Sequence, residues 1–246
     1  MLIALCQAAA LLFAAGEEKP ARPPAHLVVP KSMQKDRTPA AIPEDDLLGL
    51  SAEMLQAAGP FQAHPGEWVE YSIRLKGEPE ARVRLSILAP PPEAAEGRYW
   101  LEAAAVGAQA LPSVVKMLVH GDPLEPRNVE RLLLYVANQA PIELPVDDAK
   151  DELTAGGKRP TSKVHKLPAA EVTVPAGTFH ARGLRFGGKT GATRLWLAPD
   201  EVPLWGLVRS VSALRTVELL LFGKTGAHSV LPAAPGEAAA QGKGSE

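Results

Sequence analysis

The sequence predicts a mainly β protein of α+β type. The expected form is a curved antiparallel sheet, or half-barrel, of about nine or ten strands partly covered by one or two short helices. Three observations carry this reading. Apolar and polar residues alternate with period two through most of residues 66–231. Short turn segments rich in Gly and Pro, such as KGEPE and PAG, separate the alternating stretches. The helical period recurs in only two short places.

The first element, MLIALCQAAALLFAAG at 1–16, is an unbroken run of apolar and small residues before EEKPARPP. It has the length of a secretory signal core and is short for a bilayer span. Ala14 and Gly16 supply the small residues for cleavage after Gly16. The run carries no Lys or Arg, so an uncleaved anchor or an upstream start are the alternatives. Cys6, the only cysteine, lies inside it behind Leu5, where a lipoprotein signal requires a small residue. The mature protein is therefore expected in the periplasm or outside the cell. It would have no thiol for a disulfide, a nucleophile or a Cys-based zinc site.

Residues 17–43 read as a Pro-rich linker, 44–231 as one β-rich domain with its core in 66–231, and 232–246 as a disordered tail. A short helix is expected over 44–59, with Glu44, Asp45 and Asp46 at its start and Gly59-Pro60 at its end. Next, EWVEYSIRL alternates Val69, Tyr71, Ile73 and Leu75 against Glu70, Ser72 and Arg74. ARVRLSIL and RYWLEAAAV repeat the pattern, making a meander. LPSVVKMLVHG places Leu111, Val114, Val115 and Leu118 at helical spacing, so a helix over 111–120 is expected to cover the sheet. VERLLLYVANQAPIELP reads as a strand buried on both faces. The remaining strands are KVHKL, AEVTV, TFHARGLRF, ATRLWLA, LWGLVRSV and TVELLLF.

Within this β region GLRFGGKT, 183–190, matches the nucleotide phosphate-loop pattern. That loop needs a strand before it and a helix beneath it, whereas here a strand-like segment with Pro199 and Pro203 follows. We read Gly183 as a β-bulge at Arg182-Gly183 and GGKTG as a hairpin turn, with no nucleotide. FGKTGAH at 222–228 reads as a second turn between strands. The net charge is −2 and no basic stripe stands out, which argues against a nucleic-acid partner. No metal or cofactor pattern occurs, and no serine has an evident base. His165, His180 and Glu171 fall on strands that could adjoin, the one arrangement suggesting a hydrolase; paired polar residues on a solvated sheet face account for them as well.

VPAGTFHA (174–181), LWLAPDEVPLWGLVR (195–209) and TVELLLFG (216–223) follow one another with short gaps. Together they resemble exported bacterial proteins with a half-barrel of the periplasmic lipoprotein-carrier type, the LolA/LppX-like class. The resemblance covers roughly 66–231 and implies a curved sheet that wraps a helix and holds acyl chains on its concave face.

A non-enzymatic exported protein is therefore expected, with no cofactor and a lipid or lipoprotein acyl chain as its possible ligand. The expected lining is Tyr71, Ile73, Leu85, Ile87, Leu101, Val115, Leu118, Phe179, Phe186 and Leu219. The alternative is an envelope scaffold with a closed core, joining a protein partner through strand edges or its Pro-rich arm.

Overall fold

A computed structural model describes residues 52–106, 113–136, 140–146, 163–188 and 191–231. The expected signal peptide, linker, tail and first half of the helix at 44–59 lie outside these residues. So do Lys189 and Thr190 of the phosphate-loop match.

The described part of that helix, α1 (Ala52–Ala58), ends as its sequence requires. Gly59 takes the positive φ of 124° that a helix stop favours, and its amide donates to the Gln56 carbonyl at 3.2 Å. Eleven strands follow: β1 (Trp68–Leu75), β2 (Ala81–Leu88), β3 (Arg98–Val106), β4 (Ser113–His120), β5 (Val129–Val136), β6 (Ile142–Leu144), β7 (Val164–Val174), β8 (Gly177–Gly188), β9 (Gly191–Leu197), β10 (Leu207–Val211) and β11 (Arg215–Gly223).

All eleven form one antiparallel sheet in the order β6-β5-β4-β3-β2-β1-β11-β10-β9-β8-β7. The chain steps outward from β1 to β6, restarts at the far edge with β7, and steps back to close β11 against β1. The sheet curls without closing. β10 is short and pairs only with Thr216–Glu218 of β11, leaving the rest of β11 open on that side. The turn between β7 and β8 folds onto it: the Ala176 amide donates to the Leu219 carbonyl at 3.2 Å, and the Phe179 and Phe222 rings lie 5.9 Å apart.

The helix expected at 111–120 is not there; its described residues are β4. Val115, Met117 and Val119 point to the inner face, paired with Ala103, Leu101 and Tyr99. Val114 and Leu118 point to the outer face, against Ala104 and Trp100. A strand apolar on both faces produces the i, i+3, i+4 spacing by coincidence, and its β-branched residues favour the extended form. In β5, Leu132 faces inward and Leu133 packs on the outer cluster, while Glu130 and Arg131 are exposed, so two-sided burial is partial.

The VPAG hairpin forms as expected, with Val174 opposite Gly177 and Thr173 Oγ1 2.9 Å from Thr178 Oγ1. In the phosphate-loop match, Gly188 pairs with Gly191, so β8 and β9 are the two arms of a hairpin. The register slip falls where expected, but the extra residue is in β7, between Leu167 and Ala170, rather than at Gly183. Gly183 is needed for room: a Cβ there would sit 2.8 Å from that of Leu167. The second turn, 222–228, follows β11 but leads into irregular chain rather than another strand.

One large apolar cluster fills the inner face, and a small one of Leu88, Trp100 and Leu118 lies outside. Residues 52–66 cross the inner face. Leu55 and Ala58 of α1 are buried there, and Arg182 of β8 donates to the Ala58 carbonyl at the helix end. Phe61 packs against Trp205 at 4.7 Å and Tyr99 at 5.8 Å, ring centre to ring centre. The Gln62 amide bonds to the Leu204 carbonyl and the Gly66 amide to that of Ile87.

Candidate functional site

Nine of the ten side chains expected to line an acyl-chain cavity belong to the inner cluster: Tyr71, Ile73, Leu85, Ile87, Leu101, Val115, Phe179, Phe186 and Leu219. Leu118 is on the other face, because residues 113–120 form a strand whose successive side chains point to opposite sides. The most exposed of the nine, Ile73, shows 8% of its surface, and Leu101, Ile87 and Leu219 show none. The Tyr71 hydroxyl donates to the Leu207 carbonyl at 3.1 Å, and burial pushes its phenol well above the usual range. That hydroxyl is already satisfied and does not face a ligand space.

The proposed histidine centre does not assemble. Glu171 and His180 are cross-strand partners on exposed positions of β7 and β8. His165 pairs with Arg185 instead, six residues from Glu171 along β7, about 20 Å at the rise of a strand.

Two surface clefts carry other charged groups. One, of about 270 Å³, lies between residues 62–67 and the loop 199–203, with Lys224 at its side. His64 Nδ1 is 3.2 Å from a Glu67 carboxylate oxygen, half of a base-and-orienter arrangement. No hydroxyl or thiol side chain lines this cleft, so the His64–Glu67 pair has no Ser, Thr or Cys beside it to activate. The other cleft, of about 690 Å³, is a shallow hollow beside β5 and β6 containing Glu130 and Glu143. Arg98 donates to both oxygens of Glu130 at 2.9 and 2.7 Å, and Arg131 likewise to Glu143 at 2.9 and 3.1 Å.

These arginine hydrogen bonds hold both carboxyls below the usual carboxylate range. Neither acid is then protonated near neutrality, as a general acid must be. Groups with a lowered folded pKa stabilise the fold above their unfolded pKa, and that stability is lost as pH falls through the lowered value. Glu130→Gln with Glu143→Gln should therefore leave melting unchanged in strong acid and lower it slightly at neutral pH. Thermal melts across the acid range measure this; equal losses at every pH would show that the pairs do not carry the effect.

The outer face shows an organised charge pattern. Cross-strand pairing carries Arg74, Thr216, Val211, Arg194, Arg185 and His165 into one row from β1 to β7. Arg185 and Arg194 are directly opposite each other, both exposed, and neither has a carboxylate partner among the described residues. Like charges so placed oppose strand pairing, a cost that a bound anion would relieve. In the neighbouring row Glu218 is nearly buried and shared between Arg74 and Arg209, the latter at 3.2 Å. Across 163–167, 184–188, 191–195 and 209–218, this end of β7–β11 carries Lys163, Lys166, Arg185, Arg194, Arg209 and Arg215 against Glu218 alone.

The expectation of no basic stripe is thus corrected. Whole-chain charge hid the stripe, because its members come from strands far apart in sequence. The available signal was that Arg74, Arg185 and Arg194 occupy polar positions of alternating strands, but only register puts them in one row.

Together these features define a class: an open, curled, all-antiparallel sheet with a filled inner face and a basic end. No family model and no curated protein sequence matches the chain. Among solved structures it is similar to a protein of YmcC-like fold from Bacteroides fragilis, described as a candidate exported protein. The identity is 10%, covering 67% of this chain and 99% of that one, with a TM-score of 0.36. It is also similar to the hypothetical protein CT021 from Chlamydia trachomatis, at 11% identity over 75% of this chain and 97% of that one, with a TM-score of 0.41.

Proposed function

We propose that this chain is an exported, non-enzymatic binding module that works through its surface, its core closed by its own N-terminal segment. The supporting observation is the burial of those nine apolar side chains in one cluster that also takes in Leu55 and Ala58, with Phe61 packed against it. A close-packed interior has no room for an acyl chain without displacing protein. Export rests on the apolar run at 1–16. The reading calls for no cofactor, nucleotide or nucleic acid.

Partner binding through a strand edge has little support, since both edges are blunted. β6 is three residues long between Pro141 and Pro145, and β7 carries Lys166, Pro168 and its bulge. Delipidated protein mixed with a fluorescent fatty acid tests the closed core. No saturable uptake and no co-purifying lipid are expected; stoichiometric uptake would sink the reading.

The second reading is an apolar-ligand carrier like the LolA/LppX class, with residues 52–66 as a removable cover. What favours it is how the cover is attached: the Arg182 bond to Ala58, the main-chain bonds at Gln62 and Gly66, and the Phe61 ring. In that case the fatty acid enters, and Phe61→Ala raises its affinity.

A further inference from the structure

We propose that the basic end of the sheet docks the protein on an anionic lipid bilayer, an inference that rests on the surface-acting reading above.

The charge argument starts from the asymmetry. The whole chain has a net charge of −2, yet the end of β7–β11 described above concentrates six cations around one neutralised carboxylate. Among the described residues, Glu78 and Glu80 are in the turn between β1 and β2, where Glu80 lies 3.5 Å from Arg82. A negative surface meeting Arg185 and Arg194 would remove the repulsion of that pair and find no carboxylate between them.

The second argument is apolar. Leu75 (37% exposed), Val164 (43%) and Leu214 (54%) sit at this same end, at the finish of β1, the start of β7 and the β10–β11 turn. Single exposed apolar residues are ordinary, but these share one rim with the cations. Leu214 is also held rigidly. Its carbonyl accepts from the Lys76 amide at 2.9 Å, its own amide donates to Ser212 Oγ at 3.4 Å, and that oxygen also takes the Arg215 amide at 3.1 Å. A Leu displayed on a fixed turn loses little freedom when it enters an interface.

Cations with apolar side chains along a rim about 24 Å wide, five strand spacings, suit a bilayer. Guanidinium groups meet the phosphate layer while Leu and Val reach the acyl boundary. An acidic protein partner would be anchored on aromatic residues. Of the outer-face tryptophans, Trp68 and Trp100 are toward the opposite end, already covered by Arg84, Lys116 and Arg131, and Trp196, opposite Arg209, is half-buried.

Flotation of the purified protein with phosphatidylcholine vesicles, with and without phosphatidylglycerol, tests the inference. Wild type should float with the anionic vesicles only, and release at high salt. Arg185→Glu with Arg194→Glu should weaken this at least about tenfold. Arg185→Lys with Arg194→Lys should retain it, which separates charge from misfolding. Leu214→Asp should weaken it as well. Flotation with neutral vesicles alone, indifference to the charge reversal, or no flotation would each overturn the inference. Retention on immobilised polyglutamate without vesicle binding would overturn it too, assigning this end to an acidic protein. The fatty-acid experiment reads the interior and the vesicles read the surface. Failure of docking without fatty-acid uptake leaves the closed core standing, and uptake with docking removes only the closed core.

Discussion

Replacing Gly206 with Ala is expected to lower stability by about 3 kcal/mol or more, the loss combining two separate costs. Gly206 has a φ of 70°, where an L side chain costs about 1–2 kcal/mol. A Cβ there would also lie 2.4 Å from Pro199 Cα and 2.5 Å from Pro199 N. These are main-chain atoms of a ring-locked residue and cannot yield as a flexible side chain would, which adds about 1–3 kcal/mol of overpacking. The loop cannot shift freely, because the Ala198 amide bonds to the Gly206 carbonyl at 2.7 Å and the Gly206 amide to that of Pro203 at 3.2 Å. The neighbouring Leu204 is itself at a φ of 64° with its side chain buried, and its carbonyl holds the Gln62 amide. Strain in this loop therefore loosens residues 52–66 as well.

Gly226→Ala is the control. Its φ is 82°, but nothing lies within 4 Å of the added Cβ, so only the backbone cost applies. Melting should fall by about 6–12 °C for Gly206→Ala and by a few degrees for Gly226→Ala. Equal losses would mean that the contact with Pro199 carries none of the effect.

The elements legible in the sequence were those whose two faces differ. Val69, Tyr71 and Ile73 alternate with polar neighbours in β1, and the strand, its inward face and its turn are found where expected. β4 failed because both of its faces are apolar, and over eight residues such a strand satisfies the helical spacing equally well. The two hairpins were legible from Pro and Gly, which report local geometry. The pairing of β1 with β11 leaves no local mark, and neither does the basic row that this pairing helps to build. The interior was the least legible. Leu55 and Phe61 lie in a segment that reads as a short helix followed by irregular chain, and nothing in their spacing says that they join the inner cluster of which Leu101 is part.

Leu101→Ala puts the closed core to the test. Leu101 is wholly buried, between Ile87 of β2 and Met117 of β4 on the inner face. With a closed core, truncation removes packed atoms and leaves a void, at about 3–5 kcal/mol. The void should be dry and large enough for a benzene-sized probe, but not for an acyl chain. If Leu101 instead lined a space meant for a ligand, the empty protein would lose little, about 1 kcal/mol, and fatty-acid affinity would change in its place. Denaturant unfolding of the variant, with and without fatty acid, distinguishes the two. A large loss that fatty acid does not restore supports the closed core. A small loss together with altered fatty-acid binding would return the inner face to the carrier reading, with residues 52–66 as the part that must move.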